Sequence, residues 1–374
     1  MESDLTVPGV EQGLPKEFGP APSSDPLPTQ FHNCILARRA PKADLHCHLQ
    51  GALRPSQFHT ALQRRRSRPV SRAEADSAYD FISFNKFFAD LDAVCELWGD
   101  THSITLAVLD VLATAYDLGC RHLELMITPD LHRNMGISPA VLLGAAGEAF
   151  TVAADTWDMT GGIIVEMLRD RGKDAALALV RETARLRANA VPILGYGNDG
   201  DHKQTPFEEL IPAYQLAREE GFRLCGHAAN VDDVEGSLDM SFDRIDHGFF
   251  VASNPRLMRR LVGAGTPLTL CPTSSVLACG HGFVNAFRQL HSAGIPICIG
   301  TDDPPLFFTD IAQEYSTMVT ALGWSPEDLG NIVRNSLQAA WLEGDDREVR
   351  RRNWVTELQA YVADPCHPRR ELGE

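Results

Sequence analysis

Short apolar runs alternate with amphipathic stretches along most of the chain. The runs Ala43–Cys47, His122–Thr128, Ile163–Leu168, Pro192–Gly195, Arg223–Gly226, Arg244–Asp246, Pro267–Leu270 and Pro296–Gly300 predict strands. Between them, Ile104–Leu118, Pro139–Ala154, Lys173–Ala188, Phe207–Glu220, Asn254–Leu261 and Phe283–Ser292 carry helical patterns. Glycine stops stand just before strands, at Gly119, Gly221 and Gly294. A left-handed cap is easiest for glycine, so these mark helix ends. Eight strands alternating with helices predict an α/β fold, a (β/α)8 TIM-type barrel in preference to an open doubly wound sheet.

The pattern fails at both ends. Residues 1–30 contain many Pro, Gly and Ser without periodicity, and residues 364–374 look similar; both read as flexible tails. Residues 31–363 read as one domain, with extra helices after strand one and at the C-terminus. The stretch Pro55–Gly99 would be an insertion over the barrel mouth. Its Phe84, Phe87, Phe88, Leu91 and Val94 would either pack it onto the barrel or line a lid. Arg64, Arg65, Arg66 and Arg68 in that stretch would form a solvated helix face or meet an anionic substrate group.

Charge then narrows the function. The 374 residues carry 50 acidic and 34 basic side chains, a formal net charge of -16. So acidic a surface repels phosphate backbones and argues against nucleic-acid binding. No apolar run reaches the roughly 18 residues of a membrane span, and the acidic, proline-rich start lacks an apolar export signal. Nine cysteines show no paired spacing. Cys47, Cys225, Cys271 and Cys298 lie in strand-like runs and read as reduced buried thiols of a cytoplasmic protein.

Five polar residues share one placement. His46 and His48 end strand one, His227 ends strand five, His247 ends strand six and Asp302 ends strand eight. In a barrel these ends converge on one mouth, where active sites are built. Residues two apart on a strand face the same way, so His46 and His48 can grip one ion. Three imidazoles and a carboxylate suit zinc best. A bound cation would lower the pKa of a water toward about 7 and yield a hydroxide nucleophile. Asp302 would also take a proton, and His247 would orient the nucleophile. Asp303 would accept a substrate hydrogen bond or serve as a turn residue before Pro304 and Pro305.

The stretch Pro41-Lys42-Ala43-Asp44-Leu45-His46-Cys47-His48-Leu49-Gln50-Gly51 resembles the opening motif of the adenosine deaminase family. Glu124-Leu125 with Thr128-Pro129-Asp130-Leu131-His132, Arg244-Ile245-Asp246-His247-Gly248, Cys271-Pro272-Thr273-Ser274-Ser275 and Thr301-Asp302-Asp303-Pro304-Pro305 match its later motifs in order. The resemblance implies a zinc barrel of the amidohydrolase type that removes an amino group from a purine. It implies one Zn2+ held by His46, His48, His227 and Asp302, with His247 assisting the hydroxide. Asp303 and the backbone of Gly200 would contact the purine. Gly195-Tyr196-Gly197-Asn198-Asp199-Gly200 also spells a dinucleotide fingerprint, but no helix follows directly to hold a pyrophosphate. The resemblance accounts for that loop better.

Two departures from the family stand out. Its fifth-strand motif is His-Ala-Gly-Glu, whereas this chain has His227-Ala228-Ala229-Asn230. That glutamate protonates the ring in the family; an amide cannot deliver a proton. Asp232, Asp233 and Glu235 nearby read as the start of a helix. Gln50 replaces an aspartate that contacts the sugar, so the sugar itself is in question. The preferred expectation is a hydrolase acting on a C–N bond of a modified purine, nucleoside or related heterocycle, with Asn230 in a non-standard proton-donor arrangement. The alternatives are a slow conventional adenosine or adenine deaminase, and a non-catalytic ligand-binding protein. The expected partner is a small purine-like molecule, with no nucleic acid or membrane and the oligomeric state open.

Overall fold

The computed structural model describes residues 35–363, except 53, 55–58, 60–62, 64–70, 74–99 and 134–135. Both expected tails, the Arg64–Arg68 run and the aromatic residues of the expected lid lie outside the described residues.

A short helix α1 (Ile35–Arg39) precedes β1 (Lys42–His48). Helix and strand then alternate: α2 (Thr101–Asp117), β2 (Cys120–Ile127), α3 (Pro139–Trp157), β3 (Thr160–Leu168), α4 (Gly172–Thr183), β4 (Ile193–Asp199), α5 (Phe207–Glu219) and β5 (Arg223–Leu224). The second half follows with β6 (His227–Ala228), α6 (Val231–Asp239), β7 (Ile245–His247), α7 (Pro255–Ala264), β8 (Leu268–Leu270), α8 (Pro272–Cys279), α9 (Phe283–Ser292) and β9 (Ile297–Ile299). Three helices, α10 (Ile311–Leu322), α11 (Pro326–Ala339) and α12 (Arg347–Ala363), close the described chain.

All strand pairs are parallel, in a five-stranded sheet ordered β1 to β5 and a four-stranded sheet ordered β6 to β9. The run expected as one strand at Arg223–Gly226 is shortened. Only Arg223–Leu224 of it is strand, and β6 begins just beyond it at His227; in between, Cys225 N–H still donates to Tyr196 O at 3.1 Å and Asp246 N–H to Gly226 O at 3.0 Å. At the other seam His48 N–H donates to Asp302 O and Asp302 N–H to His46 O, both at 2.8 Å. Strand order thus runs around a ring, as expected of the (β/α)8 class. The helix expected at Lys173–Ala188 ends at Thr183 and tightens into a 3-10 turn over Ala184–Asn189.

Alternation along the strands divides the core. Leu123, Leu125 and Ile127 on β2, with Ile163, Val165 and Met167 on β3, pack against helices such as α3 through Leu142, Ala146 and Phe150. The opposite faces carry His122, Glu124 and Met126 on β2, Thr128 just beyond it, and Ile164 and Glu166 on β3, all buried. Much of this inner layer is polar. Arg244, fully buried, donates to Glu124 Oε2 at 2.6 Å and lies 4.4 Å from the Trp341 ring centroid. Trp341 N–H donates to Glu124 Oε1 at 2.6 Å, so the segment after α11 is tied to the inner layer. Breaking such a buried pair typically costs about 3–5 kcal/mol, because one charge is left uncompensated.

Candidate metal and substrate site

The first two histidines come from β1. His46 is fully buried and His48 nearly so, and their ring centroids lie 5.0 Å apart. The register of β1 against β2 shifts between Asp44 and Cys47, the stretch containing His46. Such irregularities re-aim side chains beside functional sites. His227 opens β6, and its ring lies 4.7 Å from that of His46 and 5.0 Å from that of His48. His247 ends β7 with its ring 4.8 Å from His46.

Asp302 follows β9 and faces this cluster with both oxygens. Oδ1 is 3.5 Å from His46 Nε2 and 3.5 Å from His48 Nε2, whereas Oδ2 is 3.8 Å from His247 Nε2. His48 Nε2 and His227 Nε2 are 3.1 Å apart. Donor atoms of His46, His48 and His227, and of His46, His247 and Asp302, form two overlapping triads with all atoms within 4.8 Å of one another. The fit to a zinc-like ion rests on chemistry and on burial. Imidazole nitrogens and a carboxylate are the set such an ion prefers. His46 Nε2 is buried and has no hydrogen-bond partner among the described residues, a situation that costs about 1–3 kcal/mol unless something is bound there.

Carboxylates stand behind the rings. Asp246 Oδ1 is 3.3 Å from His46 Nδ1, within ion-pair reach but off hydrogen-bond alignment. Glu166 on β3 lies between two rings, with Oε2 3.1 Å from His48 Nδ1 and Oε1 3.3 Å from His227 Nδ1. His227 Nδ1 also donates to Asn198 O at 2.6 Å. Burial alone would raise the Glu166 carboxyl, but the His48 charge and the nearness of both rings hold it at about 2, although Oε1, like Asp246 Oδ1, is off hydrogen-bond alignment. Burial likewise works against a charged His227, yet Glu166 raises it to about 9. The pocket therefore favours positive charge at its centre. His247 is the exception: burial lowers it to about 3 and keeps it a neutral imidazole.

The expected substrate contacts are placed as follows. Asp303 is buried beside Asp302, and burial pushes its carboxyl well up. It lies directly over Gly51, where any Cβ would collide with its carboxylate; its Oδ1 has no hydrogen-bond partner among the described residues. Gly200 has φ +88, and a Cβ there would run into Asp170. Its N–H donates to Asp199 Oδ1 at 2.7 Å. β4 runs through Asp199 and no helix begins before Phe207, so the glycine-rich stretch is strand and bend. Gln50 is buried, and its Nε2 meets His132 Nε2 at 3.0 Å. Burial lowers His132 to about 4, so it is neutral and accepts that hydrogen bond. Asn230 is the N-cap of α6, its Oδ1 accepting from Asp233 N–H at 3.0 Å. Asp233 in turn accepts from Arg169 at 2.8 Å and from Ala229 N–H at 2.9 Å, which accounts for one of the acids beyond Asn230.

Sequence reasoning passed over Glu166, Asp199, Thr128 and Asp246. Thr128 Oγ1 lies 3.1 Å from Glu166 Oε2 and 3.0 Å from Asp199 Oδ2. A signal was available, since Glu166 is the one charged residue inside an otherwise apolar strand, and glutamate is rarely fully buried without partners.

Known proteins resemble this chain in sequence and fold. A crystal structure of an adenine deaminase from Arthrobacter aurescens superposes with a TM-score of 0.79 at 25% identity, over 87% of this chain and 99% of that one. An amidohydrolase from Burkholderia ambifaria, crystallised with bound Zn, gives a TM-score of 0.81 at 27% identity, over 93% of this chain and 98% of that one. The adenine deaminase of Agrobacterium fabrum is 28% identical over 82% of this chain and 95% of its own length. The family model for adenosine deaminase matches residues 41–353, and on that span the chain belongs to the adenosine deaminase family of hydrolases acting on carbon–nitrogen bonds.

Proposed function

We propose that this protein is a zinc-dependent hydrolase that breaks a carbon–nitrogen bond of a modified purine or related nitrogen heterocycle. The observation that carries the reading is the convergence of His46, His48, His227 and Asp302, backed by buried carboxylates, at the C-terminal ends of parallel strands. These four residues would hold one zinc ion. When bound, zinc supplies a water activated for attack at neutral pH. Asp302 accepts that water's proton. His247, neutral at pH 7, keeps a ring nitrogen available to orient the water and to stabilise charge developing on the substrate. Asp303, whose buried carboxyl is pushed well up and whose Oδ1 has no partner among the described residues, would hydrogen-bond to the substrate. Gly200, whose φ of +88 and nearness to Asp170 exclude a side chain, would present its backbone to the substrate. Cys47, Cys120, Cys225, Cys271 and Cys298 are buried and unpaired, which supports a reducing, cytoplasmic setting.

Asn230 sets the substrate class. Its Oδ1 accepts from the α6 cap, and its N–H2 can donate a hydrogen bond to a ligand without transferring a proton. General acid catalysis contributes about 10²–10⁴ in rate, and adenosine should be turned over that much more slowly than by an enzyme with a carboxylic acid there. A heterocycle with an already electrophilic carbon, or a ring carbonyl in place of the basic nitrogen, suits the site. Gln50, held by His132, offers no charge to a sugar, which favours a free base.

The experiment is a hydrolysis screen of aminated heterocycles with zinc-loaded wild type and Asn230→Glu. Wild type should act on an oxidised or substituted base and barely on adenosine or adenine, and Asn230→Glu should shift activity toward the latter. The naming of the Agrobacterium and Arthrobacter relatives as adenine deaminases favours a second reading, conventional adenine deamination. Wild-type turnover of adenine at an ordinary enzymatic rate would establish it. Tight ligand binding without turnover of any compound would point to a binding protein.

A further inference from the structure

We propose that Glu166 is a positioning residue that aims two of the metal-binding imidazoles, one from each sheet, through a single buried carboxylate. The inference rests on the metal site argued above. His48 belongs to β1 in the first sheet and His227 to β6 in the second. β6 is two residues long, and among the described residues it pairs with β7 alone. No ladder between β4 and β6 therefore sets the His227 ring relative to the His48 ring. Side chains and one carbonyl take over that task. Glu166 Oε2 is 3.1 Å from His48 Nδ1, and Glu166 Oε1 is 3.3 Å from His227 Nδ1.

Both contacts fall on the Nδ1 edge. An Nδ1–H bound to an acceptor places the lone pair of each neutral ring on Nε2, and the two Nε2 atoms are the ones that approach to 3.1 Å. A partner on the far nitrogen of a metal-bound histidine fixes its tautomer and raises its basicity. The two rings depend on Glu166 unequally. Asn198 O already accepts from His227 Nδ1 at 2.6 Å, whereas no other Nδ1 partner of His48 is described. His46 faces Asp246 instead. Glu166 is itself steadied by the Thr128 hydroxyl at 3.1 Å and is wholly shielded from water, so solvent cannot substitute for it.

Another use of the same atoms is a second cation held by His48, Glu166 and Asp199, whose donor atoms also lie within 4.8 Å of one another. The Thr128 hydroxyl stands between the two carboxylates, and His48 would have to bind two ions at once. Positioning is the simpler account.

The test uses the full chain as wild type, Glu166→Gln and Glu166→Ala, with zinc affinity measured by chelator competition and stoichiometry by elemental analysis. Glu166→Ala should bind about 10–100-fold more weakly. Glu166→Gln, which keeps an acceptor and loses the charge, should fall between it and wild type. All three should still saturate at one equivalent. In ¹⁵N-histidine spectra of the zinc-loaded proteins, the His48 Nδ1–H resonance should move most, His227 less, and His46 least. Should Glu166→Ala fail to fold, Thr128→Val removes the carboxylate's support and should give a smaller loss of the same kind. Folded variants that bind zinc as tightly as wild type overturn the assignment. So does a wild type with two equivalents and a Glu166→Gln with one, which would make Glu166 a ligand. Wild type that binds no zinc overturns the metal reading itself.

Discussion

Strands β1 to β4 run for seven, eight, nine and seven residues, whereas β6 to β9 run for two or three. The two sheets feed the same site by different routes. In the first, His46, His48, Glu166 and Asp199 stand on the strands themselves. In the second, His247 and Asp302 have φ of +57 and +62, the left-handed region. That backbone costs roughly 1–2 kcal/mol for a residue with a Cβ, and such outliers cluster at functional sites. For Asp302 the cost is offset where its N–H and C=O bond to His46 and His48. A short strand with a turned end aims a side chain that alternation would send elsewhere.

The sharpest way to break this comparison is to remove the turned carboxylate. Asp302→Ala should lower turnover by on the order of 10⁴-fold, because a ligand and a proton acceptor disappear together. Elemental analysis should show zinc depleted as well; an active, zinc-loaded variant would contradict the role. The two histidines of the second sheet should then separate. His227→Ala should lose most of its zinc, whereas His247→Ala should keep the ion and lose about 10²–10⁴-fold in turnover. Equal zinc loss in both would end that division.

Buried carboxylates sharpen the contrast in another way. Glu166, on the first sheet, is held at about 2, while Glu314, on α10, is pushed by burial to about 7. Glu314 accepts from Thr273 N–H at 3.0 Å and from the Thr309 hydroxyl, tying the segments after β8 and β9 together. Its folded-state pKa lies above the usual 4.5. The folded state therefore keeps a proton that the unfolded chain gives up. Stability from this group is complete below about 4.5 and is lost as pH rises through about 7, by up to roughly 3 kcal/mol. Urea melts of wild type and Glu314→Gln at pH 5 and pH 8 should show the variant losing less across that interval. An identical pH dependence would mean that Glu314 ionises freely.

The smallest effect concerns strain away from the site. Ala190 also has positive φ (+62), at the cap of the turn before β4, and is exposed. Ala190→Gly should stabilise the protein by up to about 1 kcal/mol and leave zinc content unchanged, as a thermal melt and elemental analysis would show. Destabilisation would mean that the left-handed turn is supported by contacts of the Ala190 methyl.

Local pattern determined most of the frame. The apolar runs marked every strand of the ring except β6, and the glycine stops at Gly119, Gly221 and Gly294 fell where helices end with φ near +80. The spacing of His46 and His48 placed two rings together, because strand alternation is a local property. Recurrence of His and Asp at strand ends named the rest of the cluster. Other features depended on residues distant in sequence. Nothing near Gln50 announces His132, 82 positions away. What Glu166 faces became legible only when β1, β3 and β6 met. A buried carboxylate is tolerable only beside its partners, and those partners are 118 and 61 positions from it in the chain. Sequence periodicity decides which way a side chain faces along its own element; only closure of the ring decides what it faces.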